Sequence, residues 1–427
     1  MSNSKNNLLY ILLIILSMVS FIYGFNIRED SAGGGFKDFN NTWNNQTIFN
    51  ENSLVESIRN TKTSEIKDSI NSHFPFSYIL NKIFNPFSND KENFLKSIFV
   101  LNFFIPLFFF LSLKNNYSNK NLYLLGCLSS ILYLSPYFRT SAYWAGMENY
   151  GLLTFVISFY FFSNYLNKKI KKKIYIILFS IFSCLCVYFD QKLLIIPLIY
   201  MIIFFKNEKN KENIILYIII NTILSIPVLA LIFYWGSVIS PYDTKSRELG
   251  NRLYLEQVGF CFSIIFFYLL PYVLIYRKKI FSFLINNKKN ILILTIIFGI
   301  YVITILLFPT DYGTQWGSYG NGWLDKFSKI LIEDNVYRKT FIYFIFYISI
   351  ISIFAASQKR VSLICFVLFF ILISSLANPI FQEYFDPLMF IFLSLFFYKE
   401  DEINDKFIKF HYFFNTSFLI FMNLYYQ

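Results

Sequence analysis

LLYILLIILSMVSFIYGF, residues 8–25, runs eighteen residues without a charge, and NIREDSAGGGF, residues 26–36, follows with an arginine, two acids and three glycines. A helix that crosses a bilayer takes about 20 mainly apolar residues. The abrupt change at Asn26 therefore reads as the point where a first helix leaves the membrane. No small-x-small cleavage site precedes Asn26, so this helix is expected to stay uncleaved.

Working outward, the same alternation recurs. Further apolar runs cover 94–113, 121–137, 149–166, 174–189, 193–205, 214–236, 257–276, 290–308, 340–357, 361–376 and 387–398, and a last stretch, 410–426, either crosses or lies in the interface. The pair within 174–205 is short for two crossings. The expected fold is an all-α polytopic membrane protein with about 11–13 transmembrane helices, a single transmembrane domain over 1–427. Three long connections interrupt it: a first loop, 26–93, and two shorter ones, 237–256 and 309–339. In the first of these, Leu54, Val55, Ile58, Ile66 and Ile70 stand at helical spacing, which predicts one or two amphipathic helices on the membrane surface.

Composition agrees. Over half the residues are hydrophobic (56%) and 15% are charged, against about a quarter in soluble domains. The net charge of +12 does not form a nucleic-acid footprint, because it is divided into short clusters between apolar runs. All five cysteines lie inside apolar segments and read as small buried hydrophobes.

Placing the N-terminus in the cytoplasm and alternating gives inside loops at 1–7, 114–120, 167–173, 206–213, 277–289, 358–360 and 399–409. These hold 21 of the 38 Lys and Arg but only six of the 26 acids. Positive charge is retained in short cytoplasmic loops, so the alternation is self-consistent. The long loops then lie on the extracytoplasmic face, and chemistry is expected there. No Gly-x-x-x-x-Gly-Lys phosphate loop occurs, which argues against a nucleotide-driven pump.

The residues that can carry chemistry cluster at those outer edges. Glu29 and Asp30 leave the first span together, ahead of Gly33-Gly34-Gly35. Such a pair can take a proton from a hydroxyl or hold a divalent cation, or it can merely cap the turn. His73 lies in an aromatic, Pro-containing entry to the second span. Arg139 and Glu148 end a short outer turn that begins Ser135-Pro136. Asp190 and Lys192 sit between two apolar runs; at membrane depth, ionisable residues are functional or mutually paired. Asp311 opens a later outer loop, and Glu383, Tyr384 and Asp386 precede the twelfth span.

In order along the chain, these features resemble the GT-C superfamily of membrane glycosyltransferases, the protein mannosyltransferase and aminoarabinose transferase kind. These use polyprenyl- or dolichyl-phosphate sugars. The resemblance rests on Glu29-Asp30 after the first span, His73-Phe74-Pro75-Phe76-Ser77-Tyr78 at the end of the first loop, Ser135-Pro136 through Glu148, and Tyr384-Phe385-Asp386-Pro387. It implies an inverting enzyme with Asp30 or Glu29 as base, the other outer residues binding substrate, and metal dependence left open. The implied partners are a lipid-linked sugar donor, a lipid, glycan or protein acceptor, and membrane lipids. A bacterial inner membrane is the implied location. Two departures stand against it: Asp190-Gln191-Lys192 occupies the place of an arginine after the fifth span, and Glu383-Tyr384 replaces an Arg-Tyr pair. A polysaccharide polymerase of the O-antigen type shares the long outer loops, but 237–256 carries only Lys245, Arg247 and Arg252. A lipid-linked oligosaccharide flippase or transporter often shows internal repeats and Gly/Pro-broken midplane helices; no convincing repeat occurs here, and the polar residues cluster at the outer edge instead.

Cysteine labelling should find Lys171 and Lys279 on one face of the membrane and Asn45, Asp311 and Lys326 on the other. Lys171 and Lys279 on opposite faces would overturn the span assignment.

Overall fold

A backbone in hydrocarbon has to satisfy its own hydrogen bonds, and a helix does so within one segment. The computed structural model describes residues 2–63, 73–167, 172–238, 240, 255–307, 322–357 and 382–426, and every regular element among them is helical. Six described helical segments are long and apolar enough to span a bilayer: Asn6–Asn26, Lys91–Asn116, Lys211–Trp235, Gln257–Ile275, Lys288–Leu307 and Asn335–Ala355. The chain is thus an all-α, multi-spanning membrane protein. The expected span 361–376 lies outside the described residues.

The chain gathers into two compact units, Met1–Arg247 with His411–Gln427, and Glu248–Phe410. In the first, α1 (Ser2–Asn26) is followed by three short helices, α2 (Gly35–Glu51), α3 (Leu54–Thr63) and α4 (Phe76–Phe84). Then α5 (Lys91–Asn102) and α6 (Phe104–Asn116) form one crossing with a single-residue break. The run read as one span over 121–137 is divided: α7 (Leu122–Ser130) tightens into a 3-10 turn, and α8 (Pro136–Tyr143) starts anew. Ser135 makes that start, its hydroxyl accepting from the Phe138 N–H (3.2 Å), with Pro136 in the first turn, where a missing N–H costs nothing. The unit continues with α9 (Glu148–Asn167), α10 (Lys173–Phe189), α11 (Ile195–Asn207) and α12 (Lys211–Trp235).

The two ends of this bundle are distinct. At one end Asn121 donates to Asn7 (2.5 Å), Asn167 to the Asn115 carbonyl (2.8 Å), Lys173 pairs with Glu212 (2.9 Å), and Tyr165 donates to Glu208. These contacts join the loops that the charge count places on one side. At the other end Arg28 pairs with Glu92 (2.7 Å), His73 meets Gln191 (3.1 Å), and Trp235 donates to Thr61 (2.9 Å). Helix direction therefore alternates as the hydropathy requires.

The outer surface is apolar because lipid is its solvent. On α12, Ile215, Ile219, Ile223 and Ile226 are each at least half exposed. On α3, Ser57, Asn60 and Thr61 are buried, while Val55 is exposed together with the charged Glu56, Arg59 and Lys62. The helix expected from Leu54, Val55 and Ile58 is present as α3, with an uncharged polar stripe turned to protein and its charged residues outward. Its expected continuation through Ile66 and Ile70 lies outside the described residues.

The second unit holds α13 (Leu255–Ile275), α14 (Arg277–Asn286), α15 (Lys288–Leu307), α16 (Gly322–Leu331), α17 (Asn335–Ser357) and α18 (Leu388–Phe392). α16 inverts the usual pattern, burying Asp325 and Ser328 and exposing Ile330 and Leu331. A buried carboxylate, Glu402, is held by Lys279 and by the Tyr272 hydroxyl (2.9 Å). The final helix, α19 (Asp405–Tyr426), returns the chain to the first unit. There the Tyr412 hydroxyl bonds both Ser17 of α1 (3.1 Å) and Ser130 of α7 (2.5 Å), pinning three helices at one point. Replacing Tyr412 by Phe should cost about 1 kcal/mol in denaturant-driven unfolding of the solubilised protein. Unchanged unfolding would show that the pin contributes nothing.

Candidate functional site

α1 ends where Arg28 takes a left-handed backbone (φ 56°) and the Glu29 N–H donates back to the Gly24 carbonyl (2.9 Å). That turn aims Glu29 inward at Arg139 on α8. The pair is forked, with Arg139 Nε donating to Glu29 Oε1 (2.9 Å) and Nη2 to Oε2. Nη1 donates to the Ser20 hydroxyl (3.1 Å) and the Tyr133 carbonyl (3.0 Å), and Nη2 also to the Ser20 carbonyl (3.0 Å). All five guanidinium protons are thereby used, and the two side chains are 2% and 8% exposed. Gly24 allows the approach: a Cβ there would fall 2.6 Å from the Tyr143 hydroxyl. Glu29 Oε1 also accepts from Asn423 of α19 (3.3 Å), and its carbonyl accepts from the Trp144 indole (3.1 Å). Arg139 and Glu29, both singled out in the sequence, are brought together as a saturated clamp.

Asp30 is handled differently. Gly33 and Gly34 both take positive φ (78° and 84°), curling the chain so that the first N–H groups of α2 face the Asp30 carboxylate. The Gly35 N–H donates to both of its oxygens (3.2 and 3.0 Å). Half-burial raises the Asp30 pKa above its ordinary value, outweighing the N–H groups of Gly35, Gly33, Gly34 and Phe36, which pull it down. The segment is docked on α8, the Ala32 N–H donating to Thr140 (2.9 Å) and the Ser31 hydroxyl to the Pro136 carbonyl (3.1 Å).

Two further groups share this end of the bundle. Glu148, in the first turn of α9, accepts from Ser141. His73 reaches Gln191, in the 3-10 turn between α10 and α11. Beside it, Asp190 accepts from the Lys192 N–H (3.0 Å) and pairs with its ammonium (3.3 Å), so it both caps the turn and neutralises the cation. Phe76 packs on Tyr188 and Phe189 at 5.1 and 5.3 Å, fixing the first loop against this junction.

The remaining candidates belong elsewhere. Glu383, Tyr384 and Asp386 lie in the second unit, Glu383 exposed and Asp386 buried. Asp311 lies outside the described residues. The sequence reading missed Asp325, a buried carboxylate paired with Lys329 (2.9 Å) and near Arg338 (3.6 Å). Its i,i+4 spacing to Lys329 was the available signal.

A divalent cation does not fit the Glu29–Asp30 pair. Both Glu29 oxygens are taken by Arg139, and both Asp30 oxygens face an N–H. Among the described residues no three His, Cys, Asp or Glu side chains gather. Compared with protein-family models, curated proteins and solved structures, the chain matches none.

Arg139→Ala should lower stability by about 3–5 kcal/mol, because it strands a buried carboxylate. Glu29→Gln should cost less, since the amide keeps one acceptor. Equal, small losses in thermal melts of the purified protein would contradict the clamp.

Proposed function

We propose that the chain is a glycosyltransferase that moves a sugar from a polyprenyl-phosphate donor to an acceptor at the extracytoplasmic face, with Asp30 as the base. The observation that carries this reading is the contrast between two adjacent carboxylates. Glu29 is spent on Arg139, whereas Asp30 is partly open and has a raised affinity for a proton. A general base works best with a pKa nearer the operating pH, and proton transfer by a positioned group is worth about 10²–10⁴ in rate.

In this reading the donor's tail stays in the bilayer and its anomeric carbon meets the polar end of the first unit. An acceptor hydroxyl gives its proton to Asp30, its oxygen bonds to the anomeric carbon, and the carbon–oxygen bond to the lipid phosphate breaks. The phosphate leaves with the electron pair, and the configuration inverts. Arg139 has no N–H left to assist, so Lys192, 28% exposed, is the cation on this face better placed to receive the phosphate. No step passes through a metal. The acceptor is a lipid, a glycan or a protein. With the N-terminus cytoplasmic, this end of the bundle faces outward, as the charge distribution favours.

The test offers purified protein a panel of short-chain polyprenyl-phosphate hexoses with a membrane extract as acceptor, and follows donor consumption. Asp30→Asn should lose about 10²–10⁴ in turnover while retaining its melting temperature. A protonated Asp30 cannot act as base, so wild-type turnover should fall as pH drops through its pKa. That acid limb should lie at higher pH than the 3.8 of an ordinary aspartate. Consumption of no donor by the wild type, or undiminished consumption by Asp30→Asn, would remove the reading.

A further inference from the structure

The connection that joins α13 to α15 is itself a helix. α14 has ten residues, about 15 Å at 1.5 Å per residue, so it is too short to cross a bilayer. The helices on either side of it are both long and apolar enough to cross, and α14 therefore lies where two spans meet water. Breaks at Tyr276 (φ −103°, ψ 22°) and Asn287 (φ −123°, ψ 32°) bend the chain at its two ends.

One side of α14 is fixed to protein. Lys279 pairs with Glu402, Ile280 is buried, and the Tyr276 hydroxyl, just ahead of the helix, donates to the Glu402 carbonyl (2.5 Å). Residues four apart on a helix are neighbours, so the outward surface resolves into two rows. Arg277, Phe281 and Ile285 make one exposed row, and Lys278, Ser282 and Asn286 make the row beside it. Phe281 is 64% exposed and Ile285 49%. An apolar row beside a basic, polar one, both turned away from protein, is the form of a helix lying in the membrane interface. The apolar row sinks toward the acyl chains, and the polar row meets the headgroups.

Charge decides which headgroup. Arg277 and Lys278 open α14, Lys288 and Lys289 follow just after its end, and all four are exposed. Lys173, Lys192, Lys279 and Lys329 each have a carboxylate partner, but among the described residues none pairs with these four. The segment 399–405 supplies acids to this unit. Of these, Glu402 is taken by Lys279, Asp401 acts on the Tyr276 hydroxyl, and Glu400 and Asp405 stand beside Lys399 and Lys406 in sequence. Topology accounts for basic charge in a short loop. It does not require Phe281 and Ile285 to face outward between the cations.

A zwitterionic lipid carries its own ammonium next to its phosphate, so unpaired cations gain little from it. An anionic phospholipid brings a phosphate without that internal counter-ion, joined to acyl chains that an exposed Phe and Ile can meet. We infer that the outward face of α14, with Lys288 and Lys289, is a docking surface for anionic phospholipid. The inference stands apart from the transferase reading.

The experiment offers the purified full-length protein, in a non-ionic detergent, phosphatidylglycerol, phosphatidylcholine or soluble glycerol phosphate, and counts retained molecules by native mass spectrometry. Phosphatidylglycerol should be retained in preference to phosphatidylcholine, and glycerol phosphate should not be retained. Each Lys or Arg near an anionic lipid surface contributes about fivefold in affinity. Lys288→Gln combined with Lys289→Gln should therefore weaken phosphatidylglycerol retention roughly 25-fold. Phe281→Ser keeps every charge and should weaken it as well, and neither change should alter melting. A control pair, Lys206→Gln with Lys209→Gln, removes two exposed cations at the end of α11 and should leave retention as it was. Equal retention of the two lipids, undiminished phosphatidylglycerol in both test variants, or an equal loss in the control pair would overturn the site. Glycerol phosphate held as tightly as the lipid would overturn it too, because the apolar row would then contribute nothing.

Discussion

The Arg139–Glu29 pair is buried at the point where the first helix leaves the hydrocarbon. Ions taken from water have a desolvation cost of several kcal/mol each, which the pair's attraction offsets only when every remaining proton is also bonded. Here the Ser20 and Tyr133 oxygens complete the guanidinium, and Asn423 and the Gly24 gap complete the carboxylate. One set of bonds thus ties α1, α8 and α19 together. It also fixes the exit direction of the chain, and with it the position of Asp30, the docking of residues 31 and 32 on α8, and the start of α2.

Lipid as solvent explains the inverted short helix α16. In water, α16 would bury Ile330 and expose Ser328; here Ser328 is buried and Ile330 and Leu331 face out. A side chain in contact with lipid gains nothing by leaving it, so the interior is free to gather polar groups that need partners. Tyr412 with Ser17 and Ser130 does so in the first unit, and Glu402 with Lys279 and Tyr272 in the second. Such contacts specify which helices meet more than they drive association.

Six spans among the described residues were legible, because length and charge identify them, and the alternation of basic loops matches the two ends of the first unit; the run 387–398 instead forms the short α18 and a π turn. α2 was not legible. Residues 35–51 are rich in asparagine and lack an apolar stripe, and the helix exists because Phe39 and Phe49 are buried against its surroundings. The break at Ser135-Pro136 carried its own N-cap signal, but hydropathy averaged over it. At the site, sequence identified the residue types and grouped several of them at one end of the first unit. It did not show that Glu29 is committed to a residue 110 positions away, because pairing at that separation is decided by tertiary packing.

Adjacent carboxylates ordinarily raise each other's proton affinity, since two like charges close together resist ionising. Arg139 cancels that coupling. With Glu29 neutralised, the forces on Asp30 are burial, which raises its proton affinity, and the N–H groups of residues 33–36, which lower it. The triglycine turn therefore acts as a tuning element. Swinging those N–H groups away would leave burial unopposed and raise the proton affinity of Asp30 further. Placing the ion pair one residue before Asp30 puts the rigid exit from the membrane and the carboxylate that the proposed reaction would use as proton acceptor on different side chains.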